Sequence, residues 1–316
     1  MLNSTVLKPL GINICELPIA QTNKLIQCET MKSIKKLSTL NSLKTQFTFF
    51  AKTFSFNREA LTTFLLLFCG QLTLAADSYP AADGPIIITP LVHSSVQLEY
   101  EGLIIQVDPW SISGLSSAKK ADLILVTDSP GHHLDPDAIA QLRTPITSIV
   151  IAANGEKQIP SGIIMANGET IKVAGITVEA VAAYDIILGA PEHPKGDANG
   201  YVITLGGKKL FFGGVTECVD EVKALSGIDV AFVPMNIPRE RMTPAAAAEC
   251  TILLDPELVY TYHYDQEWAR SVANPDFKRS PLPGGLTVEQ SLDAFETALT
   301  GSGIEYKRPR WYPPTN

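Results

Sequence analysis

Between Ala121 and Asp135 the chain reads ADLILVTDSPGHHLD, and this stretch restricts the fold more than any other. Leu123 to Val126 is an apolar run of the length of a buried strand. It stops at Thr127-Asp128-Ser129-Pro130-Gly131, where proline and glycine end any strand. Two adjacent histidines, His132 and His133, follow. Asp135 then suits a helix N-cap and Pro136 the first helical position, with DAIAQLR continuing the helix. A buried strand, a tight polar turn and a capped helix form the unit of an α/β layer fold. The turn places side chains able to bind metal at the strand's end.

The rest of the chain repeats that grammar. Pro85–Leu91, Ser95–Tyr100 and Leu103–Val107 read as strands, leading into Asp108. Ala121–Thr127 and Ile149–Ala152 continue the sheet around the Asp135 helix. Ile171–Val173 with Ile176–Ala183, and Tyr201–Leu205 with Lys209–Phe212, read as hairpins about Ala174-Gly175 and Gly206-Gly207. Glu217–Leu225 reads as a helix whose start Glu217 favours. Val230–Pro234, an alanine-rich helix over Thr243–Leu254, Leu258–Tyr262 and a last helix over Val288–Leu299 complete the pattern. Strand clusters followed by strand–helix units, twice over, predict two sheets face to face with helices outside.

The chain divides by charge. Its first 75 residues hold eight Lys/Arg against three Asp/Glu, and the remainder holds 17 against 30, a net of −13. An acidic body repels a phosphate backbone, so no nucleic-acid partner is expected. The basic leader, residues 1–75, ends in an apolar core over residues 60–76 that closes on Thr73-Leu74-Ala75, a small-residue pattern suited to a signal peptidase. The expectation is an exported protein whose domain spans residues 76–316. A membrane-anchored form is the alternative, should the apolar segment be retained. Cys218 and Cys250 lie in the body, where they could pair; buried free thiols are the expectation.

There are five histidines: His93, His132, His133, His193 and His263. Each falls at a strand end or in the loop after one, as do Asp108 and Asp128. Such loops share one rim of a layered α/β fold, where ligand sites form. Imidazoles with carboxylates favour zinc, with manganese or iron as alternatives.

The sequence resembles the metallo-β-lactamase superfamily, and within it the branch similar to the ascorbate-6-phosphate lactonases. The resemblance spans about Pro85 to Asp265. It rests on the order and spacing of LVHSSVQLEYEGLIIQVDP, ADLILVTDSPGHHLDP, EHPKGDANGYVITLGGKKLFFGGVTE, DVAFVPMN and VYTYHY. It implies an αββα four-layer sandwich with a metal site along the edge between the sheets. The family's His-x-His-x-Asp-His motif is altered here. Asp128 stands at the first histidine, Pro130 at the second and His132 at the aspartate, while His133 matches. His193 and His263 match later histidine positions, and Val215 replaces a bridging aspartate. The expectation is a one-ion rather than a two-ion centre, because Pro130 removes a ligand and Val215 the bridge.

The resemblance then implies one divalent ion held by His132, His133 and His263. Asp128 or His193 would act on a metal-activated water as catalytic residues, and His93, Asp108 and Asn199 would support the site or touch substrate. The expected function is hydrolysis of an ester, lactone or phosphoester in a small-molecule substrate. The alternative is a non-catalytic descendant, a pseudoenzyme with no metal, that binds a small ligand or protein partner in the old cleft.

Overall fold

The computed structural model describes residues 76–113, 115–187, 192–235, 241–264, 266–279 and 286–308. The expected leader and export signal lie outside them. Among these residues fourteen strands form two seven-stranded sheets. The first runs in chain order: β1 (Asp77–Tyr79), β2 (Ile86–Val92), β3 (Ser95–Tyr100), β4 (Leu103–Val107), β5 (Leu123–Val126), β6 (Ser148–Ile151) and β7 (Ile163–Ile164). The second holds β8 (Thr170–Val173), β9 (Ile176–Ala183), β10 (Ala198–Leu205), β11 (Lys208–Phe212), β12 (Val230–Pro234), β13 (Leu258–Tyr262) and β14 (Glu305–Tyr306). Each sheet begins antiparallel and turns parallel, the first from β4 onward and the second from β11 onward.

Period-two side-chain alternation builds the layers. In β5, Leu123 and Leu125 enter the core between the sheets, while Ile124 and Val126 face an outer cluster with Ile139. In β12, Val230 and Phe232 point inward and Ala231 and Val233 outward. Both faces of these strands are covered, so they read as continuous apolar runs. The aromatic rings of Phe212, Phe232 and Tyr260 stack across β11, β12 and β13 in the centre.

Helices cover the outsides. On the first sheet lies α1 (Pro136–Leu142), where the Asp135 side chain caps the amides of Asp137 and Ala138. On the second lie α2 (Asp220–Lys223), α3 (Pro244–Leu254) and α5 (Val288–Ala298), whose apolar residues share one cluster with that sheet. Thr287 and Gln290 close a capping box at the start of α5. The helix α4 (Gln266–Ala273) follows the β13 loop and buries Trp268 and Ala269. The αββα sandwich expected from the sequence is the fold observed.

Two expectations need correction. The helix read over Glu217–Leu225 is one turn, α2, and Glu217 lies before it with its carboxylate turned to the amides of Ile186 and Ile187. Two hydrogen bonds to a loop outweigh a weak dipole term. The cysteines expected as free thiols are paired: Cys218 and Cys250 form a disulfide with Cα atoms 5.7 Å apart, joining the segment after β11 to α3.

Candidate metal centre

Parallel strands end together at one rim, and their carboxyl ends deliver the polar residues. Asp108 follows β4, the Thr127–His133 turn follows β5, and His263 follows β13; His93 sits in the β2–β3 turn. Three of these, His93, Asp108 and His263, have left-handed backbones, with φ of 55°, 42° and 56°. Residues other than glycine rarely take that conformation, and where they do the surrounding structure enforces it. The enforcement is visible: the His263 amide donates to the His93 carbonyl at 3.1 Å, tying the two turns together across the sheets. The Asp108 amide is held by the Leu125 carbonyl at 2.9 Å.

Asp108 is fully buried and organises the turn. Its Oδ1 accepts from the Thr127 amide at 2.8 Å and its Oδ2 from the Thr127 hydroxyl at 2.6 Å. The same Oδ2 lies 2.7 Å from His133 Nδ1. This contact turns His133 Nε2 toward His263, whose Nε2 is 2.9 Å away. Pro130 starts the turn that presents the pair, its carbonyl accepting from the amides of His133 and Leu134.

Four imidazoles meet here. Ligand nitrogens of His93, His132 and His263 lie within 4.8 Å of one another. The His132 and His133 rings are 4.4 Å apart, and those of His93 and His263 4.3 Å apart. Burial, joined by the charge of neighbouring imidazoles, pushes His93, His132 and His263 far below the usual histidine range. Lowered in this way, each ring favours its neutral form, which keeps one lone pair to offer a metal. Burial also opposes charge on His133, but the Asp108 carboxylate outweighs it and raises that ring.

The donor set fits a metal ion. Both ring nitrogens of His93 and Nδ1 of His263 are buried without a hydrogen-bond partner, a costly arrangement for polar atoms unless something binds them. A carboxylate behind an imidazole, as Asp108 stands behind His133, is the usual way to fix a ligand's tautomer and direction.

Beside the imidazoles sits a second polar group. His193 Nε2 is 3.4 Å from Asp128 Oδ2, and its Nδ1 is 3.2 Å from Asp185 Oδ1. Asp128 Oδ1 is occupied by the Ser129 amide and by Asn154 Nδ2. Asp185 also receives the amides of Glu192 and His193 and pairs with Arg241. Those donors, against the burial that opposes them, hold its carboxyl below the usual range. His193 is close enough to bear electrostatically on His132 and His263.

Sequence reading did not single out Asp185, Asn154 or Arg241. For Asp185 a signal existed: like Asp108 and Asp128, it is a carboxylate just beyond a strand end. Asn154 and Arg241 carried none, since only tertiary packing brings them in.

Asn199 differs from the other candidates. Its side chain is spent on the Met165 carbonyl and the Asn167 amide, and its backbone N–H donates to the Thr127 carbonyl at 3.0 Å. It supports the turn rather than facing the imidazoles. Val215 is buried in an apolar group with Ala183 and Ala198. Next to it Gly214 has φ 64°, and a Cβ there would stand 2.9 Å from the Asn199 carbonyl, so only glycine passes.

Comparison with known proteins agrees with this architecture. The family model described as "Beta-lactamase superfamily domain" matches residues 87–263. A metal-dependent hydrolase of the UPF0173 group from Methanopyrus kandleri is 28% identical over 218 residues, covering 64% of this chain and 94% of that protein. Its counterpart from Thermococcus onnurineus is 30% identical over 189 residues, covering 55% of this chain and 83% of that protein. A crystal structure from Parabacteroides distasonis, described as a metal-dependent hydrolase, superposes with a TM-score of 0.65 at 31% identity. The match covers 76% of this chain and all of that one.

Proposed function

Because this chain belongs to the metallo-β-lactamase superfamily, we propose that it is a metal-dependent hydrolase with one ion at the histidine cluster. The observation that carries this reading is the cluster itself: ligand nitrogens of His93, His132 and His263 within 4.8 Å of one another, unpartnered nitrogens on His93 and His263, and a carboxylate behind His133. His132, His133 and His263 would hold the ion. When bound, such an ion polarises a substrate oxygen and lowers the pKa of a water to about 7.

The chain's own residues do the rest. Asp108 keeps His133 Nδ1 engaged, so that Nε2 is the nitrogen offered to the site. Asp185 does the same for His193, leaving Nε2 toward Asp128. Asp128 Oδ2 and His193 Nε2 are the two atoms placed to take a proton from water and to return it to a leaving alkoxide. Nothing in that exchange requires a second ion, and the position of the family's bridging aspartate is apolar here. The lactonase-like branch resembled by the sequence points to an ester, lactone or phosphoester in a small molecule.

The Cys218–Cys250 disulfide supports export to an oxidising compartment, since such bonds are rare in the cytosol. Among the described residues no helix is long and apolar enough to cross a membrane.

Val215 and Pro130 favour a second reading, a descendant that binds a ligand without turnover. One experiment separates the two. The purified protein is assayed on a panel of esters, lactones and phosphoesters, before and after chelation and after zinc is restored. Hydrolysis that disappears with chelator and returns with zinc, and that Asp128→Asn slows by about 10²–10⁴-fold, is expected. Binding of a panel compound without turnover, indifferent to chelator, would establish the second reading.

A further inference from the structure

Resting on the reading of this cluster as a metal centre, we propose that His93 is itself a metal ligand, adding an imidazole from the β2–β3 turn to the ligand set, so that water would join the ion as a fifth ligand. Four imidazoles, those of His93, His132, His133 and His263, are in ring contact at this rim.

The geometry points to His93 on four counts. It shares the 4.8 Å group of ligand nitrogens with His132 and His263. Its ring is 4.3 Å from that of His263 and 5.3 Å from that of His132. Both its nitrogens are buried and unpartnered. A neutral imidazole carries one N–H and one lone pair, so a ring kept only for packing would leave both unmet, a costly state for buried polar atoms. The fourth count is the backbone. His93 holds φ 55°, a strained conformation for a residue other than glycine, and the His263 amide secures it through the His93 carbonyl. The strain and the unmet nitrogens are both destabilising, and a bound ion would take up the ring's one lone pair and offset part of that cost.

The bland competitor is packing: the His93 ring meets the edge of Trp110 at 5.8 Å. The two accounts differ in what removal of the ring does. Glycine at residue 93 relieves the left-handed backbone, and asparagine tolerates it, so His93→Gly and His93→Asn delete the imidazole without forcing the turn. The purified wild-type protein and both variants are loaded with zinc alone. Zinc-edge X-ray absorption then counts imidazole ligands, a competing chelator measures affinity, and melting with and without zinc reports coupling to the fold.

The expected result is one imidazole fewer in each variant, zinc affinity reduced by more than about 100-fold, and a smaller zinc-induced rise in melting temperature. An affinity loss within about 10–100-fold at an unchanged imidazole count would make His93 a positioning residue and overturn the proposal. Equal affinity and equal count would overturn it in favour of packing. Wild-type protein that takes up no zinc would remove the metal centre itself, a failure distinct from that of His93 alone. If one variant does not fold, the other decides the matter by the same three readings.

Discussion

At the scale of the residue, Asp108 is the side chain on which the centre's order depends. It binds the Thr127 amide, the Thr127 hydroxyl and His133 Nδ1 at once, so its replacement loosens the turn and the ring together. Asp108→Asn is expected to weaken metal affinity by about 10–100-fold, the range found for carboxylates behind ligating imidazoles, as measured by chelator competition. Val215 makes the opposite test. Val215→Asp restores the group that the superfamily's pattern places there, but against Ala183 and Ala198. Burying an unpaired carboxylate in that setting is costly. The variant is expected to melt at a lower temperature than wild type while its metal content stays at one ion per chain, as read by elemental analysis.

Among the elements, two restraints hold the rim. The Cys218–Cys250 disulfide closes a loop across 32 positions, adjacent to Glu217 and its bonds to the Ile186 and Ile187 amides. Replacing both cysteines with serine is expected to lower stability by roughly 3–4 kcal/mol, from loop-closure entropy alone, in denaturant unfolding of the non-reduced protein. The second restraint is the cap of α1. Burial raises the Asp135 carboxyl, but hydrogen bonds from the Ser111 hydroxyl and amide and from the Ala138 and Asp137 amides outweigh it, and its pKa lies below the ordinary value. A carboxyl lowered on folding stabilises fully above its unfolded pKa, about 3.9 for aspartate, and that contribution fades as pH falls through the folded value. Asp135→Ala is therefore expected to cost about 1 kcal/mol at neutral pH and progressively less in acid, seen in unfolding curves taken at both.

Across the whole molecule, the layers were legible because buried strands in both sheets are long apolar runs with clear turns between them. Ala121–Asp135 announced its strand, turn and capped helix from residues alone, and the structure has all three. The elements not foreseen are brief: β1, β7 and β14 are two or three residues long, and α4 is two turns packed by Trp268 and Ala269. Segments so short carry no period, and their pairing with neighbours decides them. The same limit applied to the centre. The histidines could be placed at one rim because each follows a strand, yet ring orientation depends on partners such as Asp108, whose reach across 25 positions no spacing rule states. His93, which the resemblance placed among supporting residues, lies in the same group of nitrogens as His132 and His263.

Imidazoles from separate loops are proposed to bind one ion. Elemental analysis of the purified chain, alongside the His263→Asn variant with its left-handed backbone accommodated, tests this most directly. About one ion per chain in the wild type, with a folded variant that holds far less, is the predicted result. A wild-type chain that carries no metal after zinc loading, and unfolds at the same temperature with or without zinc, would contradict it.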